Sequence, residues 1–277
     1  MSARLRYGSR AVAVEGGDGK DHKDRSLLDT NKAIYQRERT VKEYALADAE
    51  LTVQENVCIE YLPQAQRNCV LDIGIGAGRT VRPLSERFKR YVGIDYSAPM
   101  IREARRRFPT HDLRVMDARK LDFTDAFDCA FFSYNGIDYM RFGERELALR
   151  SICKALRRGG LLIFSTHNLN HARAAAWVRS FFVPELWPVR IDRSWANMLL
   201  MRGINFWRQR EARERGFAWV NDPAHGFSIL TLYVDIARQI RALQQIGFGV
   251  LATIGNTKTT REFDEQDCWV YIVAQRC

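Results

Sequence analysis

Apolar residues recur at Ile34, Tyr35, Val41, Tyr44 and Ala45, the spacing of one helical face, behind the capping residues Asp29-Thr30-Asn31. A second helical stretch over 48–62 ends at Pro63. The period then changes. Cys69–Ile73 is a short β-prone run, followed at once by Gly74-Ile-Gly-Ala-Gly78 and a helical pattern over 79–89. Tyr91–Asp95 predicts a second strand, and a helix over 98–107 follows with Ser97 as its N-cap and Pro99 in its first turn. Leu113–Asp117 and Phe127–Ser133 predict strands three and four. A helix over 143–157 closes on Gly159-Gly160, and Leu161–Ser165 is the fifth strand. Strands alternating with helices in this way predict a parallel sheet covered on both faces.

Residues 170–225 break that rhythm. They hold Trp177, Trp187, Trp195, Trp207 and Trp219, five of the six tryptophans. Between His171 and Val220 stand nine arginines, four acidic residues and no lysine. Afterwards Tyr233–Ile246 predicts an amphipathic helix ending at Gly247, and 249–254 and 268–274 predict two last strands. The expected organisation is a flexible tail over 1–28, a helical cap over 29–64, a core over 65–169, a lid insertion over 170–225, and completion of the core over 226–277.

Composition narrows the class. The chain has 277 residues, 46% hydrophobic and 27% charged, which suits one large domain carrying an insertion and excludes wholesale disorder. No stretch approaches the roughly 20 apolar residues that cross a bilayer, and the N-terminus lacks a secretory apolar core. A soluble, cytoplasmic protein without membrane association is expected. Forty-three basic against 33 acidic residues give a net charge of +10, which favours anionic partners without choosing among them. Cys58, Cys69, Cys129, Cys153, Cys268 and Cys277 include no CxxC pair, so free thiols and no metal site are expected.

The chemistry concentrates at Val70-Leu-Asp72-Ile-Gly74-Ile-Gly76-Ala-Gly78-Arg79-Thr80. Glycines after a first strand let the backbone turn tightly and approach a ligand. The spacing is GxGxG rather than GxGxxG, and Asp72 precedes it. A carboxylate there suits an amine or loop amides and sits badly beside a pyrophosphate, so the loop fits a zwitterionic amino-acid group. Asp95 ends the second strand and can accept from both hydroxyls of a ribose. Asp117 ends the third and can accept from an exocyclic amine. Three acids at successive strand ends line the crevice where open α/β sheets bind ligands.

With these residues the chain resembles the class I S-adenosylmethionine (SAM)-dependent methyltransferases. VLDIGIGAGRT resembles their first motif, YVGIDYS the second, VMDARKLDF the third, and ALRRGGLLIFSTHN their fifth-strand segment. The resemblance covers about 65–168 and extends more loosely over 226–275. It implies a doubly wound, seven-stranded, mostly parallel Rossmann-like sheet with an antiparallel last strand, N-terminal helices and a lid insertion. It implies S-adenosyl-L-methionine as cofactor, with Asp72 and Gly74, Gly76 and Gly78 at the methionine part, Asp95 at the ribose, and Asp117 with Ala118 at the adenine. Tyr96 and Met100 would flank the adenosine, and Arg79, Ser133 and the cap residue Tyr44 complete the expected set.

For the acceptor, Ser133-Tyr-Asn-Gly-Ile-Asp-Tyr139 lacks the Asn/Asp-Pro-Pro-aromatic tetrad of base-amine methyltransferases, and no Pro-Cys pair stands there. Nucleic-acid bases are disfavoured. Methyl transfer is an in-line displacement helped by positioning and, for a hydroxyl, by a base. His167 follows strand five and is the preferred base, with Tyr134, Asn135 and Asp138 orienting acceptor or sulfonium. Asn168, His171 and His225 are further candidates on the acceptor side. Aromatic and guanidinium groups in the insertion suit an anionic or nucleotide- or carrier-linked acceptor such as a sugar, glycan or natural product. The tryptophans could equally build the lid's own core or a homodimer interface. The competing readings are an RNA methyltransferase, favoured by the charge, and a non-catalytic SAM-binding scaffold.

Overall fold

The computed structural model describes residues 33–174, 199–200, 203–204, 210–212, 216–221, 227–256, 263–264 and 267–277. The segment 1–28, His225 and the insertion's Trp177, Trp187, Trp195 and Trp207 lie outside them.

Two short helices open the described chain, α1 (Glu38–Ala45) and α2 (Val53–Ile59). Thr52 starts α2 with a capping box, accepting from the Glu55 N–H while the Glu55 carboxylate accepts from its own N–H. Five parallel strands follow: β1 (Cys69–Ile73), β2 (Arg90–Asp95), β3 (Asp112–Val115), β4 (Phe127–Phe132) and β5 (Leu156–Asn168). They are linked by α3 (Val81–Ser85), α4 (Ala98–Arg107) and α5 (Phe142–Ala155). Beyond β5 come α6 (Leu169–Ala174), β6 (Arg210–Ala212), β7 (Phe217–Val220), β8 (Thr231–Val234), α7 (Ile236–Ile246), β9 (Phe248–Gly255) and β10 (Trp269–Arg276).

β1 is central because nearly all of it is apolar and buried on both faces, as a covered parallel strand requires. The order β3-β2-β1-β4-β5 continues through β10, antiparallel to β5, to β9 at the edge. This is the expected seven-stranded α/β sheet with an antiparallel strand. One face packs Leu71, Ile94, Phe132 and Phe164 under α5 and α7, and the other packs Val70, Phe131, Ile163 and Tyr271 under α2, α3 and α4. Each large apolar side chain buried there contributes about 1.5–3 kcal/mol relative to exposure.

The sheet is larger than the sequence suggested. Among the described residues it has ten strands, because β8 pairs parallel to the far end of β5 (His167 opposite Tyr233, Asn168 opposite Val234) and carries β7 and β6 antiparallel outside it. The cause lies in β5. It runs 13 residues while β4 stops at Phe132, so its last residues present an edge that β8 occupies. Tyr233 and Val234, which the periodicity placed in a helix, are therefore strand. Asp235 begins α7 instead, its Oδ1 accepting from the Arg238 N–H (2.8 Å). Trp219 lies on β7, 4% exposed, in the core.

Candidate functional site

A cavity of about 370 Å³ opens at the carboxyl ends of β1, β2 and β4, where open α/β sheets bind ligands. Its floor is the glycine loop. Gly74, Gly76 and Gly78 all have positive φ (70°, 54° and 99°). A Cβ on Gly76 would stand 3.1 Å from the Tyr44 ring, and one on Gly74 would stand 3.0 Å from Phe132. The loop thus needs glycine for its backbone and for the cavity above it. Gly78 does not line the cavity; a Cβ there would meet Phe108 at 2.7 Å, so it fits the turn into α3.

Asp95 sets the shape of that loop. Its Oδ2 accepts from the Gly76 N–H (2.9 Å) and its Oδ1 from the Ser97 N–H (2.8 Å). The carboxylate lines the cavity and is 7% exposed. Burial pushes its pKa up to about 6 against the lowering effect of those two amides. Around it stand Tyr96, Met100 and Ala118. Asp117 also lines the cavity, but Arg119 already holds it, donating from its N–H (2.9 Å) and its guanidinium (2.5 Å to Oδ2). Burial alone would raise the Asp117 carboxyl; the hydrogen bonds and charge of Arg119 bring it below its ordinary value. Arg119 in turn pairs with Glu144, which also pairs with Arg141 (2.7 Å). This four-residue rim was not read from the sequence, because Glu144 and Arg141 come from the start of α5.

The roof comes from the N-terminal cap. Tyr35 and Tyr44 meet edge to face (6.0 Å between centroids), and Tyr35 also meets Tyr139 (5.3 Å). All three line the cavity. The Ser97 hydroxyl donates to the Tyr35 carbonyl (3.0 Å), tying the cap to the start of α4.

Besides Gly78, two expected cofactor residues stand behind the cavity wall. Asp72 is 1% exposed and accepts from the Thr80 hydroxyl (2.6 Å) and the Tyr91 hydroxyl (2.7 Å). It braces the loop from below, and burial raises its pKa to about 7. Arg79 forms a two-pronged pair with the fully buried Glu55 (2.6 and 2.9 Å), donates to Ser133 Oγ (2.8 Å) and stacks on the Tyr134 ring (4.1 Å). Ser133 also donates to Glu55. Ser133 and Tyr134 line the cavity, so this cluster joins α2 and the loop to the turn after β4. Glu55 escaped the sequence reading; its capping-box position was the available signal.

That turn is strained. Tyr134 and Asn135 both have positive φ (51° and 56°), an unusual conformation for non-glycine residues that asparagine tolerates better than most. It aims Tyr134 and Gly136 at the cavity and Asn135 away from it, toward His167. His167 Nδ1 lies 2.8 Å from Asp138 Oδ2, and its Nε2 lies 3.3 Å from Asn135 Nδ2. The structure thus brings His167, Asp138 and Asn135 together one residue layer behind the cavity wall. Asn168 is spent structurally, donating to the Asp267 carbonyl (3.1 Å) and accepting from the Asn170 N–H (3.0 Å). His171 is half-buried on α6 and does not line the cavity.

Residues 70–160 match the family described as a methyltransferase domain. That match falls on the strands and glycine loop that wall the cavity and supports a class I SAM-dependent methyltransferase reading. The domain is 33% identical over 107 residues to a phosphatidylethanolamine N-methyltransferase of Cereibacter sphaeroides, covering 35% of this chain and 50% of that one. Over 133 residues it is 29% identical to a malonyl-[acyl-carrier protein] O-methyltransferase of Salmonella typhimurium, covering 48% of each. The chain therefore spans about half the length of the curated relatives it matches. Among solved structures, a SAM-dependent methyltransferase from Mesorhizobium loti superposes with a TM-score of 0.55 at 20% identity, covering 81% of this chain and 98% of that one. One from Clostridium acetobutylicum superposes with a TM-score of 0.54 at 13% identity, covering 81% and 89%. The family match and the structural neighbours imply S-adenosylmethionine as cofactor, and the donor set here fits it. The glycine floor leaves room that any Cβ would fill, and the cavity-facing Asp95 carboxylate suits ribose hydroxyls.

Proposed function

We propose that the chain transfers a methyl group from SAM to a hydroxyl or amine of a small acceptor, anionic or carried on a nucleotide or carrier. The observation that supports this most is the adjacency of two arrangements: the cavity walled by Gly74, Gly76, Asp95 and Asp117, and the His167–Asp138 pair directly behind its Tyr134–Gly136 turn. When bound, the cofactor supplies an electrophilic methyl group on a sulfonium.

The chain's own residues would do the rest. Asp95 accepts from the ribose, and the glycine loop holds the amino-acid end. Asp117 lies where an adenine amine would need an acceptor, within reach once Arg119 shares it. Tyr35, Tyr44 and Tyr139 cover the cavity and exclude water. Asp138 fixes the His167 ring and its tautomer, and His167 takes the acceptor's proton. Most of the rate would come from positioning, with the base adding on the order of 10²–10⁴-fold. The names of the relatives, one a phospholipid amine methyltransferase and one a carrier-protein O-methyltransferase, support an anionic or carrier-linked acceptor.

The test is transfer of labelled methyl from SAM to a panel of alcohols, amines and carboxylates, free and phosphorylated. Transfer that Asp138→Asn abolishes supports the reading. Tight binding of S-adenosylhomocysteine with no transfer to any class sets it aside in favour of a SAM-binding scaffold.

A further inference from the structure

Among the described residues, the charges around His167 form a closed set. Asp138 is fully buried, and each of its oxygens takes two donors. Oδ1 takes the Arg145 guanidinium and the Thr166 hydroxyl (2.8 Å), and Oδ2 takes the His167 backbone N–H (2.7 Å) and its Nδ1 (2.8 Å). Arg145, from α5, is 2% exposed and spends its remaining nitrogens on Thr166 Oγ1 (2.8 Å) and on Gln239 Oε1 of α7 (2.9 Å). Among the described residues, the imidazole's other neighbours are uncharged side chains. Tyr233 of β8 lies against its face (4.6 Å), Trp269 of β10 at its edge (6.2 Å), and the Asn135 amide at Nε2.

Charge counting gives the consequence. A buried Asp138–His167 pair alone is neutral overall only when the imidazole carries two protons. Arg145 changes that balance: with its guanidinium on the opposite carboxylate oxygen, the set of three is neutral only when the imidazole is neutral, and burying net charge is costly. The hydrogen bonds agree. Nδ1 faces a carboxylate and so carries the proton, and a neutral ring then has its lone pair at Nε2, where the Asn135 amide nitrogen lies 3.3 Å away. The opposite end of that amide, Asn135 Oδ1, is buried with no hydrogen-bond partner.

We infer that Arg145 is a positioning residue that holds His167 as the neutral Nδ1–H tautomer, and that the methyl acceptor at this site is a hydroxyl rather than a carboxylate or an ammonium. The inference rests on the methyltransferase reading above. A carboxylate offers no proton to Nε2 and no donor to Asn135 Oδ1. An ammonium adds a positive charge beside a set that Arg145 has already balanced. A hydroxyl carries the single proton that Nε2 can take, and its nucleophilicity depends on losing that proton. As its oxygen bonds to the methyl carbon, the carbon–sulfur bond breaks with its electron pair left on sulfur. The hydroxyl proton passes to Nε2, leaving an imidazolium against Asp138. The Asn135 amide must turn aside for this, and it gives up little, since its one contact to Nε2 is long and its oxygen has no donor.

The experiment is ¹⁵N NMR of the full chain labelled at its five histidines, at neutral pH with S-adenosylhomocysteine added and its binding followed in the same samples. His167→Gln assigns the resonance. The expected result is a protonated Nδ1 and a bare Nε2 in the wild type, an imidazolium in Arg145→Gln, and return of the neutral ring in Arg145→Lys. Cofactor-product affinity should stay unchanged across the series. A protonated Nε2 in the wild type overturns the inference, as does an Arg145→Gln spectrum identical to the wild type. Should Arg145→Gln fail to fold, the wild-type tautomer decides alone. Failure of the wild type to bind S-adenosylhomocysteine instead strikes the methyltransferase reading, and with it the acceptor assignment, while the tautomer still reports on Arg145.

Discussion

The two ends of the site use charge in opposite ways. At the cofactor end, Asp95 faces an open cavity and takes only two backbone amides, so its carboxylate keeps capacity for a ligand. At the His167 end, Asp138 and Arg145 are sealed in the interior, and every oxygen of the carboxylate and every nitrogen of the guanidinium is spent. In the proposed reading the first arrangement binds the cofactor, and the second sets the state of one ring that can move a proton. A carboxylate's role in this fold therefore follows from what else it already holds.

That contrast breaks first at Asp138. Asp138→Asn removes the acceptor for Nδ1–H and is expected to lower methyl transfer by on the order of 10²–10⁴-fold, with S-adenosylhomocysteine affinity unchanged. Parallel calorimetry and labelled-methyl assays check this, and a matching loss of cofactor affinity would merge the two ends into one. Asp95→Ala is the mirror experiment. Losing a buried carboxylate acceptor costs about 1.5–3 kcal/mol, so S-adenosylhomocysteine binding should weaken by roughly one to two orders of magnitude.

The sequence made the first end legible and hid the second, for a physical reason. Gly74, Gly76, Asp95 and Asp117 sit in short runs at or just past the ends of strands, so local pattern alone places them together, whereas Asp72, read the same way, stands behind the wall. The five-strand rhythm was readable likewise, since each parallel strand is a compact apolar run. The Arg145–Asp138–His167 set joins a turn, a helix interior and a strand end, and Gln239 arrives from yet another helix. Arg145 shows no local sign in the sequence, since an arginine on a helix ordinarily faces water. β8 was missed because Thr231–Val234 is four residues long and runs directly into an amphipathic helix. Its strand character comes from the unpaired end of β5.

A pH titration sharpens the comparison further. Burial raises Asp72 to about 7 and Asp95 to about 6, well above the ordinary carboxylate value. The folded state therefore holds these protons more tightly than the unfolded chain. Their contribution to stability is full below about pH 4 and declines as pH rises toward 7, at about 1.4 kcal/mol for each pH unit that a group's folded value stands above its unfolded one. Denaturation midpoints measured from pH 4 to 8 should show this slope, and Asp72→Asn should flatten it; an unchanged slope in that variant means Asp72 is ionised throughout. Protonating Asp95 turns one of its two acceptor oxygens into a donor, so S-adenosylhomocysteine affinity should fall below about pH 6. The smallest effect belongs to the solvent-exposed pair Arg150–Glu146 (2.7 Å). Glu146→Gln should alter stability by less than about 0.5 kcal/mol and leave cofactor affinity unchanged.

The most direct measurement is calorimetric titration of the wild type and Asp95→Ala with S-adenosylhomocysteine, with NAD as the control ligand. The expected result is one S-adenosylhomocysteine bound per wild-type chain, at least about tenfold weaker binding in Asp95→Ala, and no heat from NAD. Binding of NAD, or S-adenosylhomocysteine affinity that Asp95→Ala leaves intact, would contradict the placement of the cofactor over the Asp95 carboxylate.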